Sequence, residues 1–98
     1  MHELYRATSV IALDGYRLTV TFDDGLTRTV DLEPVLAGEL YGPLRDPALF
    51  DQVTIDPEAH TVVWPNGADF DPETLHNWPR YEAALIERAR QWQSATAT

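Results

Sequence analysis

The first third of the chain consists of three short segments of strand-like sequence, separated by two turns that contain glycine. Residues 9–13 are rich in apolar and β-branched side chains and end at Asp14-Gly15, a dipeptide typical of tight hairpin turns. Residues 16–22 alternate between apolar and polar side chains, a turn follows at Asp23-Asp24-Gly25, and residues 26–32 alternate again. Strands joined by such short turns pair with their neighbours in the antiparallel sense. The pattern therefore predicts a three-stranded antiparallel meander.

The middle of the chain predicts a second hairpin and short helical turns. Residues 33–43 contain proline and glycine, and we expect little regular structure there. Asp46-Pro47 and Asp71-Pro72 both suit a helix N-cap followed by proline at the first helical position, so each predicts a short helix. Residues 53–55 and 61–64 are strand-like and are joined by a turn that contains proline, which indicates a β-hairpin.

Pro79 opens a longer predicted helix with one apolar stripe. The residues of this stripe recur at helical spacing and are Tyr81, Ala84, Leu85, Arg88, Ala89 and Trp92. Such a stripe must be covered, either by the sheet of its own chain or by another chain. The elements together predict an α+β domain over residues 1–93, in which a three-stranded antiparallel meander and a second β-hairpin are accompanied by short helical turns and one C-terminal amphipathic helix. Residues 94–98 are predicted to be a disordered tail.

The composition removes several kinds of chemistry. The chain has 98 residues, no cysteine, and sixteen acidic residues against seven arginines, with no lysine. Without cysteine there is neither a disulfide nor a thiolate, and without lysine there is neither a Schiff base nor a P-loop lysine. The N-terminus lacks the basic and apolar regions of a secretory signal, and no run is long enough to cross a membrane. We therefore expect a cytoplasmic protein without membrane contact.

The formal net charge of −9 predicts a protein partner in preference to nucleic acid. The negative electrostatic field around such a chain repels phosphate backbones, so we expect no direct binding of nucleic acid. We regard a basic protein as a natural partner. An acidic surface also keeps a small domain soluble without any partner, and that alternative stays open.

No residue pattern indicates catalysis, a metal or a cofactor. The histidines His2, His60 and His76 lack the close spacing of metal ligands, and the last two are expected to be solvated side chains. Asp69 and Asp71 could act as acid–base groups, but Asp71 is equally explained as a helix N-cap and Asp69 as part of its turn. We therefore expect a domain that is not an enzyme. The alternative is a small ligand-binding or hydrolytic domain built on these acids.

Five large aromatic rings fall near the second hairpin and the final helices. They are Trp64, Phe70, Trp78, Tyr81 and Trp92. One interpretation is that they close the core over the sheet. The other is that they form a hydrophobic patch for partner binding or self-association, including a homodimer through the last helix.

Several blocks of the chain resemble a known family. Residues 18–25, 30–32 and 42–46 carry motifs of this family in order, and the most specific block is Trp64-Pro65-Asn66-Gly67-Ala68-Asp69 with the Asp-Pro pair that follows. Over residues 10–75 the chain is similar to the bacterial family catalogued as domain of unknown function 2442. The resemblance implies a compact α+β domain of antiparallel strands and short helical turns.

The resemblance implies two functional settings. Some members of that family carry a helix-turn-helix DNA-binding domain after this one, and others are encoded beside a second small protein, as in toxin–antitoxin pairs. Residues 76–98 offer room for one helix but not for a basic helical bundle, so the second setting fits better. We predict a non-enzymatic protein-interaction module, either antitoxin-like or accessory to a second protein. The residues expected to carry the interaction or the family motif are Trp64, Asn66, Gly67, Asp69, Asp71, Trp78, Tyr81 and Trp92.

Overall fold

The computed structural model describes the backbone of residues 5–96 and the side chains of residues 5–91. Strands β1 (Ala7–Leu13), β2 (Arg17–Phe22) and β3 (Thr27–Asp31) form an antiparallel meander in the order β1-β2-β3. The buried side chains of Leu18 and Val20 alternate with partly exposed threonines along β2. The predicted meander is therefore confirmed, with one face on the core.

The first turn differs from the prediction by one residue. We expected a strand that begins at Tyr16, but the register pairs Leu13 with Arg17 and leaves three residues in the loop. Gly15 and Tyr16 have φ angles of 80° and 62°, so both occupy the left-handed region. The Tyr16 hydroxyl donates a hydrogen bond to the Arg45 carbonyl, and this long-range bond helps to hold the tyrosine in that conformation.

Residues 33–45 are more regular than expected, whereas the short helix predicted after Asp46 is confirmed. A 3-10 turn at Glu33–Val35 precedes α1 (Gly38–Tyr41), and a second 3-10 turn at Gly42–Arg45 precedes α2 (Pro47–Phe50). The prediction of little regular structure over residues 33–43 was wrong, and hydrogen bonds from the Arg45 side chain join the second 3-10 turn to the first. The Arg45 guanidinium donates to the Leu36 carbonyl at 2.8 Å and to the Glu33 carbonyl at 2.9 Å.

The second sheet has three strands, one more than the predicted hairpin. Strands β4 (Thr54–Ile55), β5 (Val62–Val63) and β6 (Asp69–Phe70) pair in the antiparallel sense in that order. The additional strand, β6, has only two residues and follows a turn directly, so no alternation marks it in the sequence. The second sheet thus begins with the predicted hairpin and ends with the family block.

The chain ends in two helices. In α3 (Pro72–His76) the Asp71 side chain caps the first turn, as predicted, and accepts the backbone N–H of Thr74 at 3.4 Å. Helix α4 (Trp78–Thr96) packs against the first 3-10 turn, α1 and α3. It includes the first residues of the segment that we expected to be a disordered tail, and residues 97–98 lie outside the described part.

The core lies where both sheets and the helices meet. Its largest fully buried side chains come from both sheets and from the helical turns between and after them, and include Phe22, Leu32, Leu36, Leu44, Phe50, Val62 and Leu75. The fold is thus mixed α+β, with two small antiparallel sheets, short helices and one long C-terminal helix. No helix in the described range is both long and apolar enough to cross a membrane.

Candidate functional site

The family block folds as the β5–β6 hairpin and is mainly structural. The Trp64 ring is buried, and its indole N–H donates to the Phe50 carbonyl at 3.0 Å. The backbone N–H of Trp64 donates to the Ala68 carbonyl at 2.9 Å and closes the turn. Gly67 has a φ of 92°, a conformation that L side chains rarely adopt, which explains the glycine at this position.

Asn66 joins this turn to α1. Its amide nitrogen Nδ2 donates to the Leu40 carbonyl at 2.9 Å, and its Oδ1 accepts the backbone N–H of Ala68 at 3.1 Å. A second link runs nearby, because the Tyr41 hydroxyl donates to the Asp69 carbonyl at 2.8 Å. Side-chain hydrogen bonds therefore hold α1 against the β5–β6 hairpin.

A groove with a volume of about 560 Å³ lies between α1, the start of α3 and the middle of α4, and β6 lies along one side of it. Its buried lining side chains are Val35, Phe70 and Ala89, and the half-buried Tyr41 and Leu85 add to the apolar surface. The other lining residues are Ala37, Gly38, Glu39, Leu40, Asp69, Asp71, Thr74 and Arg88.

The groove presents an exposed apolar side chain at its edge. Leu40 is 41% exposed, and Ile11 on the meander is the other large apolar side chain in the described residues with comparable exposure. Isolated apolar residues are normal on protein surfaces. Leu40 differs because it adjoins a concave apolar surface, and that combination is typical of a binding site.

Acidic groups predominate among the charged residues that line the groove. The exposed carboxylates of Glu39, Asp69 and Asp71 face it, against the single guanidinium of Arg88. Burial raises the pKa of the Tyr41 phenol, and the negative charges of Asp69 and Asp71 raise it further. The groove is thus apolar within and has a negative potential at the β6 side.

The structure places the predicted site residues in two groups. Asp69 and Asp71 line the groove, whereas Asn66 and Gly67 lie in the turn before β6, where Asn66 bonds to the Leu40 carbonyl of α1. Among the described residues the Asp69 side chain has no hydrogen-bond partner, while Asp71 is engaged as the cap of α3.

The aromatic residues mostly belong to the core. The core contains the buried rings of Trp64, Phe70 and Trp78. The Phe70 and Trp78 rings meet edge to face, with their centroids 6.3 Å apart. The indole N–H of Trp78 has no partner within the described part of the chain. Tyr81 is half-buried and its hydroxyl donates to the Glu73 carboxylate, and the side chain of Trp92 lies outside the described residues.

His76 is not the solvated side chain that we expected. It is 13% exposed, and its Nε2 lies 2.7 Å from the Asp24 carboxylate in the β2–β3 turn. Its ring stacks on Tyr5, with centroids 3.8 Å apart, and meets Phe22 edge to face. The N–H of Leu26, and then His76, lower the pKa of Asp24. His76 therefore links α3 to the meander.

The other two histidines give less information. His60 lies in the β4–β5 turn with a φ of 57°, and its backbone carbonyl accepts the N–H of Ala7 at 3.0 Å. His2 lies outside the described residues. Within the described range, no three side chains of His, Cys, Asp or Glu come together as a metal site would require.

Comparison with protein families gives one match. The model of a family described as protein of unknown function, DUF2442, matches residues 7–81. The chain belongs to this family. The match confirms the resemblance found in the sequence, and it covers the meander, the family block and most residues that line the groove. No curated protein matches the chain.

A solved structure is also similar to this member of DUF2442. It is the crystal structure of a candidate DNA-binding protein from Nitrosomonas europaea ATCC 19718, with a TM-score of 0.70 and 29% sequence identity. The match covers 86% of the present chain and 56% of the other, so the chain spans little more than half the length of this relative.

This relative corrects one prediction. We expected no direct contact with nucleic acid because of the net charge of −9. That prediction was wrong, because a relative with the same fold is itself a candidate DNA-binding protein. Net charge is a property of the whole surface and does not exclude a local site for a phosphate backbone.

Proposed function

We propose that this domain is a non-enzymatic protein-interaction module, accessory to a second protein, and that it binds its partner through the groove. The observation that carries the proposal is the apolar interior of the groove beside the exposed Leu40. Exposed apolar surface in a concave site costs free energy in water, and a partner that covers it recovers that free energy.

The contacts of the titratable groups support a role without catalysis. Asp71 is committed to capping α3, and the imidazole of His76 is committed to Asp24 and is not among the groove residues. A general acid or base needs a side chain that is held near the reacting atoms and free to exchange a proton. Among the described residues, the groove carboxylates of Glu39 and Asp69 have no hydrogen-bond partner, and an exposed carboxylate that no neighbour positions is a weak catalyst.

A matched pair of variants tests the proposal. Leu40→Asp places a charge at the edge of the groove, and Ile11→Asp makes the same change on the outer face of β1, where Ile11 is 59% exposed. Both positions are exposed, so neither change is expected to unfold the domain. Wild type and both variants are tagged, co-expressed with neighbouring genes, and captured, and proteins that bind in stoichiometric amounts are identified.

The proposal predicts a partner that is retained by wild type and by Ile11→Asp but lost with Leu40→Asp. Circular dichroism of the three proteins checks that each is folded. Equal retention of every captured protein by Leu40→Asp and Ile11→Asp would reject the groove as the binding surface. Loss only with Ile11→Asp would transfer the interaction to the outer face of the meander.

Association with DNA is a second candidate function. It is favoured by the structural relative, which is a candidate DNA-binding protein. The outer face of the meander is the surface that suits a phosphate backbone, because the hydroxyls of Thr19 and Thr29 lie there beside Arg17, opposite Asp31.

Fluorescence anisotropy with a labelled DNA duplex tests this second function. Binding that weakens steeply with added salt, and weakens further with Arg17→Gln, would support it. An anisotropy that stays constant up to high protein concentration at low salt would exclude it for this domain.

A further inference from the structure

The groove combines apolar surface and charge in a way that defines what it can bind. If the proposed function holds, we infer that the partner contributes one apolar segment with a single lysine or arginine, whose charge lies against Asp69 and Asp71. The inference rests on three features of the groove, which are its size, its apolar interior and the position of its carboxylates.

The size of the groove suits a few side chains of one segment. A volume of about 560 Å³ lies within the range of sites that enclose a drug-sized ligand, and it is too small for an extended domain interface. Ala37, Gly38 and Ala89 are small lining residues on facing elements, so the backbone of a bound segment can approach closely. Leu40 and Leu85 then provide apolar contact for two or more of its side chains.

The carboxylates define where the partner's positive charge lies. Among the described residues, the Asp69 side chain has neither a hydrogen-bond partner nor a salt bridge, so its charge is available to a bound segment. Asp71 keeps its negative charge while it caps α3, because an N-cap carboxylate accepts hydrogen bonds without losing charge. Asp69 and Asp71 are two positions apart in extended backbone, which directs both side chains to the same side of the chain. Their negative charges also raise the pKa of the Tyr41 phenol, after the larger effect of its burial.

An anionic or purely apolar segment fits less well. The lining has three carboxylates, Glu39, Asp69 and Asp71, against Arg88 on α4. A bound anion would therefore meet net repulsion, and an apolar segment would remove water from carboxylates without replacing its hydrogen bonds. A single lysine or arginine satisfies the carboxylates and leaves the rest of the groove for apolar contacts.

Peptide display tests the chemistry of the segment directly. Random dodecapeptides are selected on the immobilised full chain and counter-screened against Leu40→Asp, so that the retained peptides depend on the groove. Retained peptides are synthesised with each lysine or arginine intact or replaced by norleucine, which keeps the apolar stem and removes the charge. Binding is measured by fluorescence anisotropy.

Two double variants separate local charge from net charge. Asp69→Asn with Asp71→Asn removes two charges from the groove, and asparagine still serves as an N-cap. Asp51→Asn with Glu58→Gln removes two charges at exposed positions that do not line the groove. Both therefore carry the same net charge.

We expect the selected peptides to share apolar residues and one basic residue. Replacing the basic residue of a peptide with norleucine should raise its dissociation constant about fivefold, as the loss of two exposed ion pairs predicts. The Asp69→Asn and Asp71→Asn variant should raise the dissociation constant of the unaltered peptide by a similar factor. Combining the norleucine peptide with the Asp69→Asn and Asp71→Asn variant should weaken binding little further, because both changes remove the same ion pairs. The Asp51→Asn and Glu58→Gln variant should change the dissociation constant less than about twofold.

Two other results would overturn the inference, and they are distinguishable. Groove-dependent peptides that lack a basic residue, or that bind the Asp69→Asn and Asp71→Asn variant as tightly as wild type, reject the charge assignment and leave the protein-interaction function intact. Failure to obtain any peptide that separates wild type from Leu40→Asp rejects the groove as a peptide site and with it both proposals.

Discussion

Asn66 provides a sharp test of how the wall of the groove is held. Its side chain makes two hydrogen bonds with different roles, because Nδ2 donates to the Leu40 carbonyl of α1 and Oδ1 accepts the N–H of Ala68 within its own turn. Asn66→Ala removes both bonds. Asn66→Asp keeps the acceptor for Ala68 but replaces the donor with a carboxylate oxygen that faces a carbonyl.

The expected magnitudes follow from these two bonds. A hydrogen bond contributes about 0.5–1.5 kcal/mol to stability, and the exposed position of Asn66 favours the lower half of that range. Asn66→Ala should therefore lower the free energy of unfolding by about 1–2 kcal/mol. Asn66→Asp should lower it by about 0.5–1 kcal/mol, because only the link to α1 is lost.

Urea denaturation followed by tryptophan fluorescence measures both values, and thermal unfolding gives a second reading of about 4–8 °C per kcal/mol for a domain of this size. Wild-type stability in both variants would contradict the hydrogen-bond assignment. Wild-type stability in Asn66→Asp alone would show that the Leu40 contact does not hold α1 in solution.

Other predictions concern the core, two glycines and a turn carboxylate. Leu75→Ala removes a fully buried side chain and should lower the free energy of unfolding by about 2–5 kcal/mol. Leu85→Ala removes a half-buried side chain at the groove and should lower it by about 1–2 kcal/mol. Equal losses in urea denaturation would contradict the difference in burial. Gly67→Ala should lower the free energy of unfolding by about 1 kcal/mol, because the φ of Gly67 is 92°. Gly42→Ala should raise it by about 0.4–1 kcal/mol, because the φ of Gly42 is −54° and the added Cβ makes only an ordinary van der Waals contact. Changes of the opposite sign would contradict these two predictions. Backbone N–H donors lower the pKa of Asp56 below its ordinary 3.8, so its contribution is present above pH 3.8 and disappears as pH falls through the lower folded-state pKa. The stability difference between wild type and Asp56→Ala should therefore shrink in acid, and a difference that grows would reverse the assigned sign.

Local chemistry made much of the fold predictable. The two glycine turns and the alternating strands indicate the meander, because side-chain period and turn geometry act within a few residues. The N-caps at Asp46 and Asp71 were likewise predictable, since an aspartate before proline satisfies the free N–H groups of the next turn. Strand β6 was missed because Asp69–Phe70 is too short to show alternation.

Contacts between distant residues were not predictable. His76 looked like a solvated side chain because its partner, Asp24, lies 52 positions away. The Arg45 side chain bonds to the carbonyls of Leu36 and Glu33, 9 and 12 positions earlier, and no propensity of the intervening residues indicates these bonds.

The groove was hidden in the sequence for the same reason. It joins α1 with β6, the start of α3 and the middle of α4, and these lie far apart along the chain. Sequence reasoning selected Asp69 and Asp71 from the family block and Leu85 from the helical stripe. It missed Leu40 and Tyr41, which lie in a segment expected to be irregular.

An NMR titration of the ¹⁵N-labelled chain with benzylammonium shows whether the groove binds a ligand that is both apolar and cationic. This probe combines an aromatic ring with one positive charge, and its dissociation constant should be in the millimolar range. If the groove is the binding surface, the largest chemical-shift changes occur together at the backbone amides of residues 37–41, 69–74 and 85–89, with little change on the outer face of the meander. Changes centred on the outer face, or no saturable change at the groove, would contradict it.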